Sequence, residues 1–237
     1  MTSTAAILAG GLATRLRGVV DDMPKCLVEV NGRPFLSYMM EQLRAHAVAR
    51  VVMLIGHRGD QVRAFLGDGV RFGVEVAYSA EPAPLGTAGA VKYAEGFLRD
   101  GPFLLLNGDT LADVDLSALW EAHCAAPEAL ATIALCEMDD ISDYGSVAVD
   151  QGGRVAGFEE KRAQKRPGLV NAGVYCLSPG VFAHIPAGTK VSTETELLPG
   201  LLAAGRCVMG FRFRGGFVDI GTGERLAYAQ GHPLFNR

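Results

Sequence analysis

The residues best suited to chemistry stand near the start of the chain, where two glycines precede several cations. Gly10-Gly11 follows a short apolar run, residues 5–9, and adjacent glycines allow a sharp turn that exposes successive backbone N–H groups. Arg15 then supplies a guanidinium, and Lys25, held by the stiff Pro24, supplies an ammonium. Bare amides and cations at a strand end suit a polyphosphate, so this stretch predicts a phosphate-binding loop.

Two familiar phosphate-binding motifs do not match this stretch. Residues 10–15 lack the third glycine of the dinucleotide fingerprint. The P-loop also fails, because no Gly-Lys-Ser/Thr follows the glycines. A tight strand–loop connection with solvated arginines, Arg15 and Arg17, is the alternative to a phosphate site.

Two distant aspartates are candidate metal ligands. Asp109 follows a buried apolar run through Asn107-Gly108, and Asp219 stands among apolar residues on a predicted short strand. Mg²⁺ in proteins typically takes one or two carboxylates plus phosphate oxygens. A buried carboxylate without a partner is costly, whereas a metal ion satisfies it. The alternative for Asp109 is an aspartate that caps the next turn.

The elements that must position these residues follow from the apolar runs. Short strands separated by helices predict a mainly parallel sheet covered by helices on both faces. Beyond residue 137 the strands become more antiparallel in character. The predicted strands are residues 5–9, 28–30, 51–55, 74–79, 103–106, 129–136, 146–149, 154–159 and 169–177, and the main predicted helices are residues 35–47, 59–66 and 88–98.

Ligands of such sheets bind beyond the carboxyl ends of the strands. Gly10-Gly11 and residues 107–109 both fall at that edge, so we expect them to face one crevice. No linker or repeat divides the 237 residues. We therefore predict one domain, residues 1–237, with a nucleotide-binding half, residues 1–113, and an acceptor half, residues 114–237.

Composition restricts the classes of function. The net charge of −4 argues against a general nucleic-acid partner, which would normally meet a basic face. No apolar stretch is long enough to span a membrane, and the start of the chain lacks the pattern of a signal peptide, so we expect a cytoplasmic protein without a membrane partner. The five widely spaced cysteines are expected to be reduced and buried. A lowered pKa of Cys26, beside Lys25, is a further hypothesis.

Together the motifs resemble the signature of the sugar-1-phosphate nucleotidyltransferases, Gly-Gly-x-Gly-Thr-Arg-Leu followed by Pro-Lys. Here the signature stands as residues 10–16 and Pro24-Lys25, with Ala13 in place of the usual glycine. The resemblance extends to about Ala229 and includes residues 217–222, Phe-Val-Asp-Ile-Gly-Thr. It implies an α/β fold, a single Rossmann-like domain similar to glycosyltransferase A, without the C-terminal β-helix of some relatives.

The resemblance also implies the reaction. The family transfers a nucleoside monophosphate from a nucleoside triphosphate to a sugar 1-phosphate with Mg²⁺, releasing pyrophosphate. A phosphomonoester has a second pKa of about 6, so the attacking oxygen needs no general base. The catalytic residues that the resemblance implies are Arg15, Lys25, Asp109, Lys161 and Asp219, with Asp109 and Asp219 as the metal ligands.

The nucleotide-binding residues that the resemblance implies lie in two segments. They are Leu8, Ala9, Gly10, Gly11, Glu81, Pro84, Gly86 and Thr87. The Leu-Gly-Thr-Ala-Gly turn at residues 85–89 is most similar to guanylyltransferases, and a carboxylate such as Glu81 can accept both neighbouring donors of guanine. This predicts GTP, with a uridylyl- or thymidylyltransferase as the alternative. Without the resemblance, the turn is a loop with Thr87 as a helix cap.

The acceptor residues that the resemblance implies are Gly145, Glu160, Lys161 and Asn171. The best match for the acceptor is D-glycero-α-D-manno-heptose 1-phosphate, and mannose 1-phosphate is the nearest alternative. Residues 159–162 are otherwise an ordinary solvated charge run. Residues 192–196 favour a helix start with a capping box over a sugar contact from Glu194. An inactive sugar-nucleotide-binding regulatory subunit and a homodimer both remain open.

Overall fold

A mostly parallel β-sheet runs through the middle of the molecule. The computed structural model describes residues 3–11, 23–161 and 163–235. Within these residues the strands are β1 (Ser3–Leu8), β2 (Glu29–Val30), β3 (Arg33–Pro34), β4 (Val48–Ile55), β5 (Glu75–Ala80), β6 (Phe103–Asn107), β7 (Thr110–Ala112), β8 (Ala129–Met138), β9 (Ser146–Val149), β10 (Val155–Glu159), β11 (Gly168–Leu177), β12 (Cys207–Phe213) and β13 (Phe217–Asp219).

Helices connect and cover these strands. The α-helices of the described residues are α1 (Phe35–Ala45), α2 (Gly59–Leu66), α3 (Gly86–Tyr93), α4 (Glu95–Leu98), α5 (Leu116–Cys124), α6 (Leu198–Ala203) and α7 (Gly223–Ala229). Short 3₁₀ helices occupy Lys25–Leu27, Val70–Phe72, Pro179–His184 and Pro233–Phe235, and a π-helical turn, Thr193–Leu197, leads directly into α6.

The main sheet has seven strands in the described part of the chain, in the order β12-β8-β11-β6-β1-β4-β5. β1 pairs in parallel with both β4 and β6, β4 pairs in parallel with β5, and β8 pairs in parallel with β12. β11 is antiparallel to its two neighbours, β6 and β8. The predicted mainly parallel sheet with antiparallel strands in the second half is confirmed, whereas β7 and β12 were not predicted.

Apolar side chains dominate both faces of the sheet, as is usual for strands that are covered on both sides. One buried cluster joins Ile7 to the α1 residues Met39 and Met40, which are fully buried. The other joins Leu105 to α3 through Val91. Both faces are therefore covered by helices, as predicted.

Element boundaries differ from the prediction where the backbone turns. The Asn31-Gly32 hairpin is confirmed, with φ of +51° and +74° at its two residues. α1 ends at Ala45 rather than at residue 47, because Ala47 has a φ of +55°, outside the helical range. The predicted helix 88–98 is two helices, α3 and α4, that meet at Ala94.

One buried histidine, away from the sheet edge, bears on a later experiment. His123 is buried on α5, with ring nitrogens 2.8 Å from Thr132 Oγ1 and 2.9 Å from Ser178 Oγ. Because Ser178 Oγ donates to Ala129 O at 2.9 Å, it accepts from the His123 Nε2–H, and Nδ1 accepts from Thr132. Burial lowers the pKa of His123, so the ring is held neutral.

The hypothesis of a lowered pKa at Cys26 is wrong. Its side chain is 2% exposed, and burial raises the pKa of the thiol to about 12, with a smaller contribution in the same direction from the negative charge of Asp109. Four of the five cysteines are buried as expected, and Cys124 is exposed. The helices of the described residues include none long and apolar enough to cross a membrane.

Candidate active site

The carboxyl ends of β1 and β6 lie side by side and begin the site. Leu8 pairs with Asn107 in the parallel ladder, and Gly108 N donates to Leu8 O at 3.0 Å. A Cβ on Gly108 would lie 2.2 Å from Leu8 O, so only glycine allows this close approach. The Gly10-Gly11 segment and residues 107–109 therefore meet at one edge of the sheet, as predicted.

These two loops line a cavity of about 340 Å³. The residues predicted to bind the nucleotide all line it, together with two of the predicted catalytic residues. They are Leu8, Ala9, Gly10, Gly11, Glu81, Pro84, Gly86 and Thr87, with Lys25 and Asp109. The sequence thus predicted which of these distant segments share a cavity.

Lys25 and Asp109, which both line this cavity, form an ion pair. Lys25 follows Pro24 at the start of the 3₁₀ helix Lys25–Leu27, and its Nζ lies 3.2 Å from Asp109 Oδ2. Both side chains remain partly exposed, at 22% and 30%. They are therefore accessible to a ligand in the cavity while they neutralise each other.

Asp219 lies beside Asp109 because β13 pairs with β7. Asp219 is opposite Thr110 in that antiparallel pair, and Ile220 N donates to Asp109 O at 2.9 Å. An ideal Cβ at Gly221 would lie 2.7 Å from Asp219 Oδ1 and 3.7 Å from Asp109 Oδ2. Two carboxylates more than 100 residues apart in the chain thus face one point, where glycine leaves room.

Asp109 and Asp219 are the described residues that could hold a divalent cation at this edge. Each is paired with a cation in the structure, Asp109 with Lys25 and Asp219 with Arg225 of α7. Among the described residues, no cluster of three or more His, Cys, Asp or Glu side chains could hold a metal alone. Two hard oxygen donors of this kind could bind Mg²⁺ if phosphate and water oxygens completed its coordination shell.

Glu81 also lines this cavity and directly follows the last residue of β5. Its Oε2 accepts from Leu85 N at 3.1 Å, and its Oε1 lies 2.8 Å from an ideal Cβ at Gly10 and 3.0 Å from one at Gly56. Both glycines are therefore needed for this carboxylate to lie against the backbone. Burial raises the pKa of Glu81, and the Leu85 N–H partly offsets that effect.

The turn after Glu81 is held by the segment around Val191. Gly86 has a φ of +72°, and its Cβ would lie 2.5 Å from Val191 O. Val191 N donates to Leu85 O at 2.9 Å, and Val191 O accepts from Ala88 N at 3.0 Å. This pairing brings the neighbouring Lys190 to the cavity wall. Lys190 was not predicted, because no local pattern shows which distant segment packs on the turn.

Thr87 does not cap α3, so that alternative is wrong. The helix has no side-chain cap, and the Thr87 hydroxyl accepts instead from Thr193 N at 2.6 Å and donates to Glu194 Oε2 at 3.3 Å. The hydroxyl that a cap would use is thus bonded to the π-helical turn.

The predicted acceptor residues lie outside the lining of this cavity, as far as the described residues define it. Lys161 is exposed and pairs with Asp143 at 2.9 Å, and Glu160 is exposed at the end of β10. Gly145 is exposed, and its Cβ would lie 3.0 Å from Glu159 O. Asn171 is half-buried on β11 and bonds to Tyr175. Arg15, Arg17 and Ala13 fall outside the described residues.

Asn107 is a further site residue that sequence reasoning did not select for a role. Its Oδ1 is buried and has no hydrogen-bond partner among the described residues, although the residue lines the cavity. A buried acceptor without a partner is rare in folded proteins. Its position in Asn107-Gly108-Asp109 was the available signal, and a hydroxyl or N–H of a ligand would satisfy it.

The comparisons agree with this geometry. Residues 4–232 match the family described as "Nucleotidyl transferase". The chain is 35% identical over 222 residues to a D-glycero-alpha-D-manno-heptose 1-phosphate guanylyltransferase of Campylobacter jejuni, covering 93% of this chain and 95% of that protein. It is 34% identical to a mannose-1-phosphate guanylyltransferase of Mycobacterium tuberculosis, covering 93% of this chain and 61% of that protein.

A solved structure agrees as well. HddC from Yersinia pseudotuberculosis, in a crystal structure with GMP-PN, superposes with a TM-score of 0.83 at 31% identity, covering 96% of this chain and 97% of that chain. The resemblance seen in the sequence motifs is confirmed over nearly the whole length, in sequence and in fold. The chain belongs to the nucleotidyl transferase family.

Proposed function

We propose that this protein transfers GMP from GTP to D-glycero-α-D-manno-heptose 1-phosphate, releasing pyrophosphate. One observation carries the proposal: a single cavity is lined both by the Glu81 carboxylate and by the Lys25–Asp109 pair. Relatives named as heptose 1-phosphate guanylyltransferases support the choice of base and sugar.

The wall that carries Glu81 is suited to guanine. The Watson–Crick edge of guanine offers two adjacent donors, N1–H and the exocyclic amine, and an ionised carboxylate is an acceptor only. Lys190 on the neighbouring wall offers donors for the O6 acceptor of the same edge. A carboxylate and an ammonium thus match both the donors and the acceptor of this base.

The part of the cavity lined by Lys25 and Asp109 is suited to the triphosphate. Asp109 and Asp219 would hold Mg²⁺, which neutralises charge on the phosphates when it is bound. Lys25 and Arg15 add positive charge, and the Gly10-Gly11 turn offers backbone donors. In this arrangement the protein aligns the α-phosphorus and stabilises charge that develops on the departing pyrophosphate.

The residues that would bind the sugar 1-phosphate acceptor lie in the second half of the chain. Gly145, Glu160 and Asn171 would contact the sugar ring, and Lys161 would hold its phosphate. The exposed Lys161–Asp143 pair has to open for this, and such exposed pairs contribute only about 0–1 kcal/mol. The sugar phosphate dianion then attacks the α-phosphorus in line, without a general base.

Free cysteines and a GTP substrate both suit a cytoplasmic enzyme.

Pyrophosphate release tests this proposal directly. The purified protein is incubated with Mg²⁺, each of GTP, UTP, dTTP and ATP, and the 1-phosphates of manno-heptose, mannose, glucose and N-acetylmuramate. We expect release with GTP and the manno-heptose phosphate, lost in Asp109→Asn and kept in Asp100→Asn, a change at an exposed aspartate of a surface turn.

The other outcomes each correct a defined part of the proposal. Release with GTP and mannose 1-phosphate keeps the base and changes the sugar. Release with UTP or dTTP alone refutes guanine recognition by Glu81. No release with any pair, although nucleotide binds, would refute the enzymatic proposal in favour of a regulatory subunit.

A further inference from the structure

Three hydroxyl groups converge on the carboxylate of Glu194 in the π-helical turn. Tyr175 OH lies 3.2 Å from Glu194 Oε1. The hydroxyls of Thr87 and Ser192 each lie 3.3 Å from Glu194 Oε2. In the part of the chain that the structure describes, this carboxylate has no cationic partner. The hydrogen-bond partners of this half-buried carboxylate are therefore the three hydroxyls.

The direction of each hydrogen bond is fixed by a second donor on each hydroxyl. Thr87 Oγ1 accepts from Thr193 N at 2.6 Å, and Ser192 Oγ accepts from Thr195 N at 3.2 Å. Tyr175 OH accepts from Asn171 Nδ2 at 2.9 Å. Every hydroxyl must then donate its own hydrogen to Glu194, which as an ionised carboxylate only accepts.

One of these chains ends at the acceptor side. Gly173 N donates to Asn171 Oδ1 at 2.9 Å, which fixes the orientation of the Asn171 amide and turns its Nδ2 towards Tyr175. Tyr175 is completely buried, so its hydroxyl has no water to replace Glu194. The Asn171 amide is thus held at its oxygen by Gly173 N and at its nitrogen by the buried Tyr175 hydroxyl, which itself donates to Glu194.

Another chain ends at the nucleotide side. Thr87 lies at the start of α3 and lines the cavity. Its hydroxyl joins the turn that carries Pro84 and Gly86 to the backbone of the π-helical turn through Thr193. Glu194 therefore lies between a residue assigned to the nucleotide, Thr87, and a residue assigned to the sugar, Asn171.

We propose that Glu194 is a positioning residue that couples nucleotide binding to sugar 1-phosphate binding. The proposal rests on the proposed function for the roles of Thr87 and Asn171. A nucleotide in the cavity immobilises the Thr87 turn and with it Glu194, which holds Tyr175 and the Asn171 amide in place. The sugar phosphate then meets an Asn171 that is already oriented, and it loses less conformational entropy on binding. The coupling acts equally in both directions.

The substitution Glu194→Gln isolates this role. Glutamine keeps the shape of the side chain but replaces one acceptor oxygen with an NH₂ donor. Whichever of the two carboxylate oxygens the NH₂ replaces, at least one hydroxyl that donates to Glu194 then faces another donor. Glu196→Gln is the matched control: Glu196 is exposed on the same turn, and its Oε2 accepts from Ser192 N at 2.8 Å, a bond that the glutamine oxygen can keep.

Calorimetric titration measures the coupling. The dissociation constant of manno-heptose 1-phosphate is determined with and without guanosine 5′-(α,β-methylene)triphosphate and Mg²⁺, an analogue that cannot react. In the wild-type protein and Glu196→Gln, we expect the nucleotide to tighten sugar phosphate binding at least about fivefold. In Glu194→Gln the ratio should fall to near one, while nucleotide affinity changes less than about twofold.

If Glu194→Gln keeps the wild-type ratio of the sugar phosphate dissociation constants measured without and with nucleotide, the proposal is overturned. A merely structural role would weaken sugar phosphate binding equally in both conditions and would leave that ratio unchanged. Should that variant fail to fold, Tyr175→Phe removes only the buried hydroxyl, and the same loss of the ratio is expected. If the wild-type protein turns over another nucleotide or sugar phosphate, the titration uses the non-reacting analogue of that pair. Failure of the guanylyltransferase assignment is then distinguished from failure of the coupling.

Discussion

Replacing Glu81 with glutamine should change the choice of base. The Leu85 N–H lies 3.1 Å from Glu81 Oε2, so the glutamine oxygen stays on that side and the NH₂ takes the place of Oε1. A group that accepted hydrogen bonds from guanine would then present donors to donors. The structure thus predicts which half of the new amide meets the base.

The size of the effect follows from the bonds lost. A hydrogen bond to a charged group contributes about 1.5–3 kcal/mol, compared with about 1 kcal/mol for a neutral pair. Guanine would lose the charge and one acceptor, about 2–3 kcal/mol in total, which corresponds to a fall of about 30- to 160-fold in kcat/KM with GTP. Uracil presents one N–H between two carbonyls, so a glutamine amide serves it about as well as a carboxylate.

The assay compares kcat/KM for GTP, UTP and ITP in pyrophosphate release. Glu81→Gln should lose activity with GTP, change about threefold or less with UTP, and lose the preference for GTP over ITP, which lacks the exocyclic amine. Glu75→Gln, an exposed carboxylate at the other end of β5, is the control and should behave as wild type. An equal loss with GTP and UTP would refute Glu81 as the group that recognises guanine.

Acid should mimic this substitution, because burial raises the pKa of Glu81. Below that raised pKa the side chain is neutral and carries a proton where guanine needs an acceptor. The ratio of kcat/KM for GTP to that for UTP should therefore fall as the pH is lowered through the pKa and recover above it. In Glu81→Gln the ratio should be independent of pH over the same range, and a ratio that still varies would show that another group is responsible.

Three further predictions concern single side chains. Lys25→Met should lower kcat about 100-fold but move the melting temperature by only a few degrees, because a partly exposed ion pair contributes at most about 1 kcal/mol; normal turnover would remove Lys25 from the mechanism. The pKa of His123 is lower in the folded protein than the ordinary 6.5, so the unfolded chain binds the extra proton and the free energy of unfolding should fall as the pH drops below that value. Urea unfolding at several pH values checks this, and His123→Gln should show a weaker dependence. Iodoacetamide should label the exposed Cys124 before the buried Cys26, and faster labelling of Cys26 would contradict its raised pKa.

Local patterns predicted the part of the site that the main sheet builds. Apolar runs identified β1 and β6, and the carboxyl-edge rule then brought Gly10-Gly11 to Asp109. Helix 59–66 was predicted with its observed bounds. These features depend on the spacing of apolar residues and on the positions of glycines, and both can be seen within a short stretch of sequence.

Contacts between distant segments could not be predicted in the same way. Thr87 and Glu194 are 107 positions apart, and no local rule joins the start of α3 to the turn before α6. The Ser192 cap at that second turn was predicted and is confirmed, since Ser192 Oγ accepts from Thr195 N. The reciprocal carboxylate is Glu196, because the turn is π-helical and places a residue one position later over the cap.

The contacts of Arg225 also join distant segments and could not be predicted locally. Its guanidinium pairs with Asp219 and lies 5.7 Å from the centroid of the Tyr144 ring.

The antiparallel strand β11 has a consequence for the order in which the protein is synthesised. β6 contains four consecutive apolar residues, Phe103 to Leu106, and one of its edges pairs with β11, which begins only at Gly168. A ribosome adding about 5–20 residues per second needs roughly 3–12 s to make the intervening chain. During that time the nascent chain carries an unprotected apolar strand edge, the kind of surface that pairs with other chains. Chaperone dependence should therefore be greatest for chains that stop between these two strands, and full-length protein should need it least.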